Sequence, residues 1–187
     1  MIGYAFCGSF CSFSESLGAL SALVASGYEV QPIMSENAYS TDTRFGSAES
    51  VRRSVEQLCG REIIHTVVGA EPLGTTKRLD SLIIAPCTGN TLAKLALGIT
   101  DTAVTMAAKA HLRRDGATLI ALASNDGASR NLSSIAALLN RRSVFFVPMR
   151  QDAPEAKPHS LVADFGQIPA CLEAMIRDRR QIRPLFV

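Results

Sequence analysis

The stretch IAPCTGNTLAKLALGITD, Ile84 to Asp101, decides the fold. It continues an apolar run, Leu82 to Ala85, that shows no polar alternation, the pattern of a strand covered on both faces. Its second half, Thr91 to Leu97, reads as helix. Between the two stand Pro86, Cys87, Thr88, Gly89 and Asn90. A strand-to-helix connection needs a turn and one cap. Here Pro86 is expected to end the strand, Thr91 to cap the helix and Asp101 to cap the helix after it. Thr88 and Asn90 can also project polar atoms towards a ligand, and Gly89 permits close approach. Capping and ligand binding explain the stretch about equally well when it is taken alone.

The same strand-loop-helix unit recurs outward from this segment. Ile2 to Phe6 is a short apolar run. CGSFCSFS (Cys7 to Ser14) follows, then Leu17, Leu20 and Val24 at helical spacing, with Gly27 as the stop. Tyr28 to Met34 is a second strand, in which Pro32 belongs near the end or where no N–H is needed. Ser35 to Gly46 is polar and precedes a helix from Glu49 to Leu58. Ile63 to Gly74 shows no regular pattern. A helix over about Ala103–Leu112, a strand at Thr118–Ser124 and a helix through Leu132, Ile135, Ala136 and Leu139 come next. Ser143 to Pro148 reads as the last strand and Met149 to Ser160 as a Pro-rich functional loop. Ile168, Cys171, Leu172 and Met175 mark a final amphipathic helix. Continuous strands alternating with helices predict a single α/β domain over residues 1–187: three layers, doubly wound, with a mainly parallel Rossmann- or flavodoxin-like sheet.

Composition narrows the function classes. With 47% hydrophobic and 19% charged residues the chain is globular. A net charge of +2 gives no nucleic-acid surface, and Arg177, Arg179, Arg180 and Arg183 read as a solvated helix face. No apolar run reaches membrane-spanning length and no basic leader precedes the first strand, so a cytoplasmic protein is expected. Five scattered cysteines fit reduced thiols, and Cys7 with Cys11 lacks the second ligand pair of a metal site.

Open parallel sheets bind ligands beyond the carboxyl ends of their strands. That singles out Cys7–Ser14, Ser35–Gly46, Pro86–Thr91 and Ser124–Asn131. Gly8, Ser9, Ser12 and Ser14 precede a helix, and a helix start suits a phosphate; taken alone, the loop is better explained by Ser12 or Ser14 as a plain cap. The loop is neither GxGxxG nor a P-loop. Ser35 ends the second strand, and Glu36 beside it keeps a dinucleotide ribose site open. His65, His111 and His159 show no partners and are expected to be structural or on the surface. Cys87 reads as a small buried hydrophobe.

PCTGNTLAKLALGITD resembles the Pro-x-Thr/Ser-x-Asn-Thr segment, with its Gly-Ile-x-Asp continuation, of the homo-oligomeric flavin-containing cysteine decarboxylase superfamily. The resemblance implies FMN: Gly8, Ser9 and Ser35 at its phosphate, and Thr88, Asn90 and Thr91 on the flavin motif. Ser124 joins the cofactor set, and Asn125 falls where that superfamily contacts substrate. Cys7 stands in place of a threonine. The decarboxylases carry a catalytic histidine where this chain has AEPLG, Ala70 to Gly74, and His65 lies out of register; the implied chemistry is therefore not decarboxylation. TDTRFG, AEPLG, VTMAAKAHLR, FFVPMRQDAPEAKPHSLVAD and RPLFV are similar to a more restricted family. It comprises the B subunits of the two-subunit synthases that form pyridine-2,6-dicarboxylate in spore-forming bacteria. This implies an oxidoreductase subunit that helps remove water and two hydrogens from a cyclic diacid of the lysine pathway, in the mother cell. The implied diacid makes Arg44 in TDTRFG the leading candidate for clamping a substrate carboxylate, with Lys157 in EAKPHS second. Its partner A subunit resembles an NAD(P)-dependent dehydrogenase. A homo-oligomer, a trimer or a multiple, is implied as well; the catalytic residues stay unassigned. A cysteine decarboxylase, a flavin prenyltransferase and a non-catalytic partner subunit are the alternatives.

Overall fold

β1, Ile2–Phe6, is buried along its whole length and lies between β2, Val30–Met34, and β3, Ser81–Cys87, in the computed structural model, which describes residues 1–187. β4, Ala117–Ser124, continues the sheet beyond β3, and every pairing so far is parallel. β5, Val144–Phe146, runs parallel along the first half of β4, at Thr118 to Ile120. The upper part of β4, at Ala123 and Ser124, pairs instead with antiparallel β7, Leu161–Ala163, which in turn pairs with β6, Met149–Arg150. The architecture is the expected single-domain α/β fold with a mostly parallel sheet.

Two assignments differ from expectation, and a third, Pro32, takes the second of its two expected places. Ser143–Pro148 is not the last strand, because β6 and β7 follow it. Runs of two and three residues leave too little sequence to show a period of two. Pro86 does not end β3: the strand continues through Cys87, with a register shift against β4 between Ile84 and Cys87 that relieves the ladder at the proline. Pro32 sits mid-strand in β2, opposite Tyr4. The alternate residues of β2 face outwards there: Ile64 N donates to Pro32 O, and Met34 N donates to Ile64 O. The missing proline N–H thus falls on the outer side of the strand.

Helices cover both faces. α1, Phe13–Ala25, α3, Ala48–Cys59, and α8, Ile168–Asp178, pack with Tyr4, Phe6, Ile83 and Leu119. α5, Gly89–Leu97, α6, Ala103–Leu112, and α7, Leu132–Leu139, close the other face over Ala5, Ile84, Ile120 and Leu122. Two short helices were not foreseen: α2, Glu36–Ser40, inside the polar stretch, and α4, Val67–Ala70. Each fully buried large apolar side chain contributes about 1.5–3 kcal/mol. A polar pin crosses the core. Tyr4 OH donates to Ser16 O at 3.0 Å, and Ser16 Oγ donates to Ala85 O at 2.7 Å, fixing the first turns of α1 over β1 and β3.

His111, at the end of α6, is 1% exposed. It has a partner after all: its Nε2 lies 3.1 Å from Ala117 O, so the Nε2–H tautomer donates there, while Nδ1 has no partner. Burial holds its pKa below the ordinary imidazole value of 6.5. The unfolded chain therefore binds a proton that the folded chain resists, and the contribution of His111 to stability is present above that value and declines as the pH falls below it. Urea unfolding between pH 7.5 and 5.5 should show falling stability for the parent chain and a flatter dependence for His111→Gln; parallel curves would exclude the effect.

Candidate functional site

The carboxyl ends of β1, β2 and β3 are stitched together by backbone hydrogen bonds. Cys7 N donates to Pro86 O at 3.1 Å, and Ser35 N donates to Phe6 O at 2.9 Å. The first loop packs on the start of α2, since a Cβ on Gly8 would lie 3.6 Å from Asn37 Cβ and from the Phe10 ring. Gly8–Ser9, Ser35 and Thr88–Thr91 thus share one edge of the sheet.

Three helical segments begin at this edge, and the first N–H groups of a helix have no partner within it. Ser35 Oγ caps α2 by accepting from Ala38 N at 3.3 Å. Thr88, not Thr91, caps α5: its Oγ1 accepts from Thr91 N and donates to Thr91 Oγ1, both at 3.1 Å. The N–H groups of Glu36 and Asn37 on α2, and of Gly89 and Asn90 on α5, are left without protein acceptors. A single 3-10 turn, Phe10–Ser12, starts at Ser9, whose side chain makes no cap hydrogen bond. The N–H groups of Gly8 and Phe10 are likewise unshared. The edge therefore offers unpaired N–H groups together with the Ser9 hydroxyl, whose one contact is a long one to Cys11 Sγ at 4.0 Å, a donor set that suits an anion.

Two other residues of the motif are occupied elsewhere. Asp101 does not cap α6; it pairs with Lys94 Nζ at 2.7 Å, and Thr102 with Thr105 forms the capping box. Ser124 is turned inwards: its Oγ donates to Asn131 Oδ1 at 2.8 Å and accepts from Asp126 N at 3.1 Å. Asn131 was not singled out by its sequence position, because an asparagine before a helix reads as an N-cap. Asn125 is exposed on the same β4–α7 loop.

The two cationic candidates differ. Arg44 sits in the turn closed by Thr43 and Gly46, its guanidinium 4.8 Å from the centre of the Phe45 ring, and it forms no ion pair. Phe45, Phe10, Phe13 and Ala38 wall a small apolar hollow, so the Arg44 turn leans on the first loop. Lys157 is already paired with Asp152, at 2.8 Å. Its loop is closed by Gln151 Nε2 donating to Pro158 O, and Ala128 N donating to His159 O docks it on the β4–α7 loop.

Titratable groups near the edge are few. Cys7 lies beneath Thr88 and Thr91, and burial pushes its thiol up to about 11. Burial pushes the Cys87 thiol up as well. Both stay neutral near pH 7, which suits small packed groups and not nucleophiles. His65, expected to be partnerless, stacks on the Tyr39 ring at 3.7 Å and lines a cleft of about 410 Å3 with Glu36, Thr66, Asp101 and Thr102. AEPLG holds no imidazole. Its Glu71–Gly74 turn packs on α6, where a Cβ on Gly74 would come within 2.7 Å of Ala110 O. No group of three or more His, Cys, Asp or Glu side chains is arranged to hold a metal, and no helix is long and apolar enough to cross a membrane.

Comparison with known proteins gives the family and the fold. The dipicolinate synthase B subunit of Bacillus subtilis (strain 168) is 37% identical over 186 residues, covering 100% of this chain and 92% of that protein. The crystal structure of the dipicolinate synthase B subunit from Bacillus halodurans C superposes with a TM-score of 0.90 at 34% identity, covering 100% of this chain and 95% of that one. The FMN-dependent cysteine decarboxylase SpaF shares the fold, with a TM-score of 0.70 at 20% identity over 94% of this chain and 95% of its own. The flavoprotein family model matches residues 2–171, and the chain belongs to the flavoprotein family.

Proposed function

We propose that this chain is the FMN-binding B subunit of a dipicolinate synthase and acts with an A subunit that carries NAD(P). The observation that carries the reading is the sheet edge where Gly8–Ser9, Ser35 and Thr88–Thr91 meet. The unshared N–H groups of Gly8, Phe10, Asn37, Gly89 and Asn90 gather there beside the uncapping Ser9 hydroxyl. A phosphate monoester fits such a donor set, because helix-start N–H groups and dipoles favour an anion. Gly8, Ser9 and Ser35 would hold the phosphate, and Thr88, Asn90 and Thr91 the flavin. Ser124 supports that cradle through Asn131 and does not itself touch the cofactor.

Bound FMN supplies a two-electron acceptor. The protein's share of the work is binding and orientation. Converting a hydroxylated tetrahydro-ring to pyridine-2,6-dicarboxylate removes one water and two hydrogens, and the gain in aromaticity drives it. Arg44, unpaired and held against the first loop, meets one substrate carboxylate with its planar fork. Asn125 lies on the neighbouring loop as a polar contact. Lys157 contributes less charge to a diacid, since Asp152 already neutralises it. The buried thiols of Cys7 and Cys87 remain packing groups. A homo-oligomer, a trimer or a multiple of one, belongs to the same reading; the exposed Val68, Leu97 and Ile99 side chains support burial between copies.

Titration of the purified chain with FMN should give saturable uptake, one flavin per chain, with a structured flavin band. A chain that stays colourless at saturating FMN contradicts the reading. In the two-subunit assay, Arg44→Ala should raise KM about tenfold or more with a smaller change in kcat, and Arg44→Lys should fall between it and the parent. Parent-like kinetics for Arg44→Ala would remove this arginine from the site.

A further inference from the structure

Asn131 occupies the position from which an asparagine ordinarily caps a helix, yet it caps nothing: its side chain makes no hydrogen bond to the first turn of α7. The residue is 8% exposed, so its amide has to be satisfied within the protein. Both ends are used across the sheet edge. Oδ1 accepts from Ser124 Oγ at 2.8 Å, and Nδ2 donates to Gly89 O at 3.2 Å. Gly89 is the first residue of α5, 42 positions earlier in the chain.

The space is built around this contact. A Cβ on Gly89 would collide with Asn131 Oδ1 and would lie 2.6 Å from Ser124 Oγ. Only glycine lets α5 begin this close to the β4–α7 loop. The approach also has a direction: the Gly89 carbonyl, held by Asn131, belongs to the planar peptide whose N–H is that of Asn90, and in a trans peptide the two point opposite ways. Holding the carbonyl inwards fixes the Asn90 N–H outwards, towards the edge. Glycine has the widest backbone freedom, so the first turn of α5 is where an external constraint has most effect.

We propose that Asn131 is a positioning residue for the flavin cradle: with Ser124 it clamps the first turn of α5 so that the Gly89 and Asn90 N–H groups are preorganised for the cofactor. This rests on the FMN reading and adds a residue whose side chain touches no cofactor atom. The side chain acts through its hydrogen bonds and not its shape. Asn131→Asp keeps the shape and the acceptor for Ser124, but it loses the donor to Gly89 O and sets a carboxylate against that carbonyl.

The test uses the full-length chain in two measurements. Hydrogen exchange of the flavin-free protein should speed up about tenfold at Thr91 and Leu92, the amides of this turn that Thr88 holds, in Asn131→Ala and in Asn131→Asp, and remain unchanged in Ser133→Ala on the exposed side of α7. FMN titration should show affinity about tenfold weaker for Asn131→Ala, at least as weak for Asn131→Asp, and altered visible circular dichroism of the bound flavin. Melting temperatures within a few degrees of the parent would separate positioning from general loss of fold. Unchanged exchange, or parent-like FMN affinity in either Asn131 variant, overturns the inference while leaving the FMN reading intact. A parent chain that takes up no FMN overturns both, and exchange that still quickens in the variants then marks the clamp as purely structural.

Discussion

A parallel sheet sends every strand in the same direction, so the helices that follow all start at one edge. Each start leaves N–H groups with no acceptor inside the helix. In this chain that constraint governs the arrangement around the carboxyl ends of β1, β2 and β3. Two starts are capped by side chains, Ser35 on α2 and Thr88 on α5, and the first loop adds a third start with no side-chain cap. Enough donors are satisfied to keep the edge ordered, and enough are left open to receive an anion. The core beneath is fixed by apolar packing on both faces and by the Tyr4–Ser16–Ala85 pin, so the edge is held from below.

Within this frame the chemistry falls to what the edge can bind. Thiols beneath the cradle are buried and protonated, and the AEPLG turn packs on α6 without an imidazole. The protein therefore supplies donors, a free guanidinium at Arg44 and shape, which is consistent with a reaction whose driving force lies in aromatisation. The cationic candidates divide by pairing: Arg44 has no carboxylate partner, whereas Lys157 has Asp152. His65 lines a cleft together with Glu36 and Asp101.

The apolar strands β1, β3 and β4 were legible because burial on both faces leaves no polar alternation, and the four loops at their ends followed from topology. What stayed hidden has local physical causes. β6 and β7 are too short to carry a period. Capping was assigned one turn late, to Thr91, because threonine serves equally well at either position; only the observed Thr88 bonds decide it. Ser124 reads as a ligand contact from its loop, and the bond of its hydroxyl to Asn131 is a partnership that sequence cannot show. Asn131 itself was masked by its ordinary role before a helix. Its partner Gly89 lies 42 residues away, a contact that only the fold creates.

The central claim is that the N–H groups at this edge receive FMN. The most direct measurement is an amide-resolved NMR titration of the chain with FMN. The account predicts that the largest shifts fall on Gly8, Phe10, Asn37, Gly89 and Asn90 and that they saturate together at one flavin per chain. Saturable FMN binding that leaves those amides unmoved, with the shifts on another face, would contradict it.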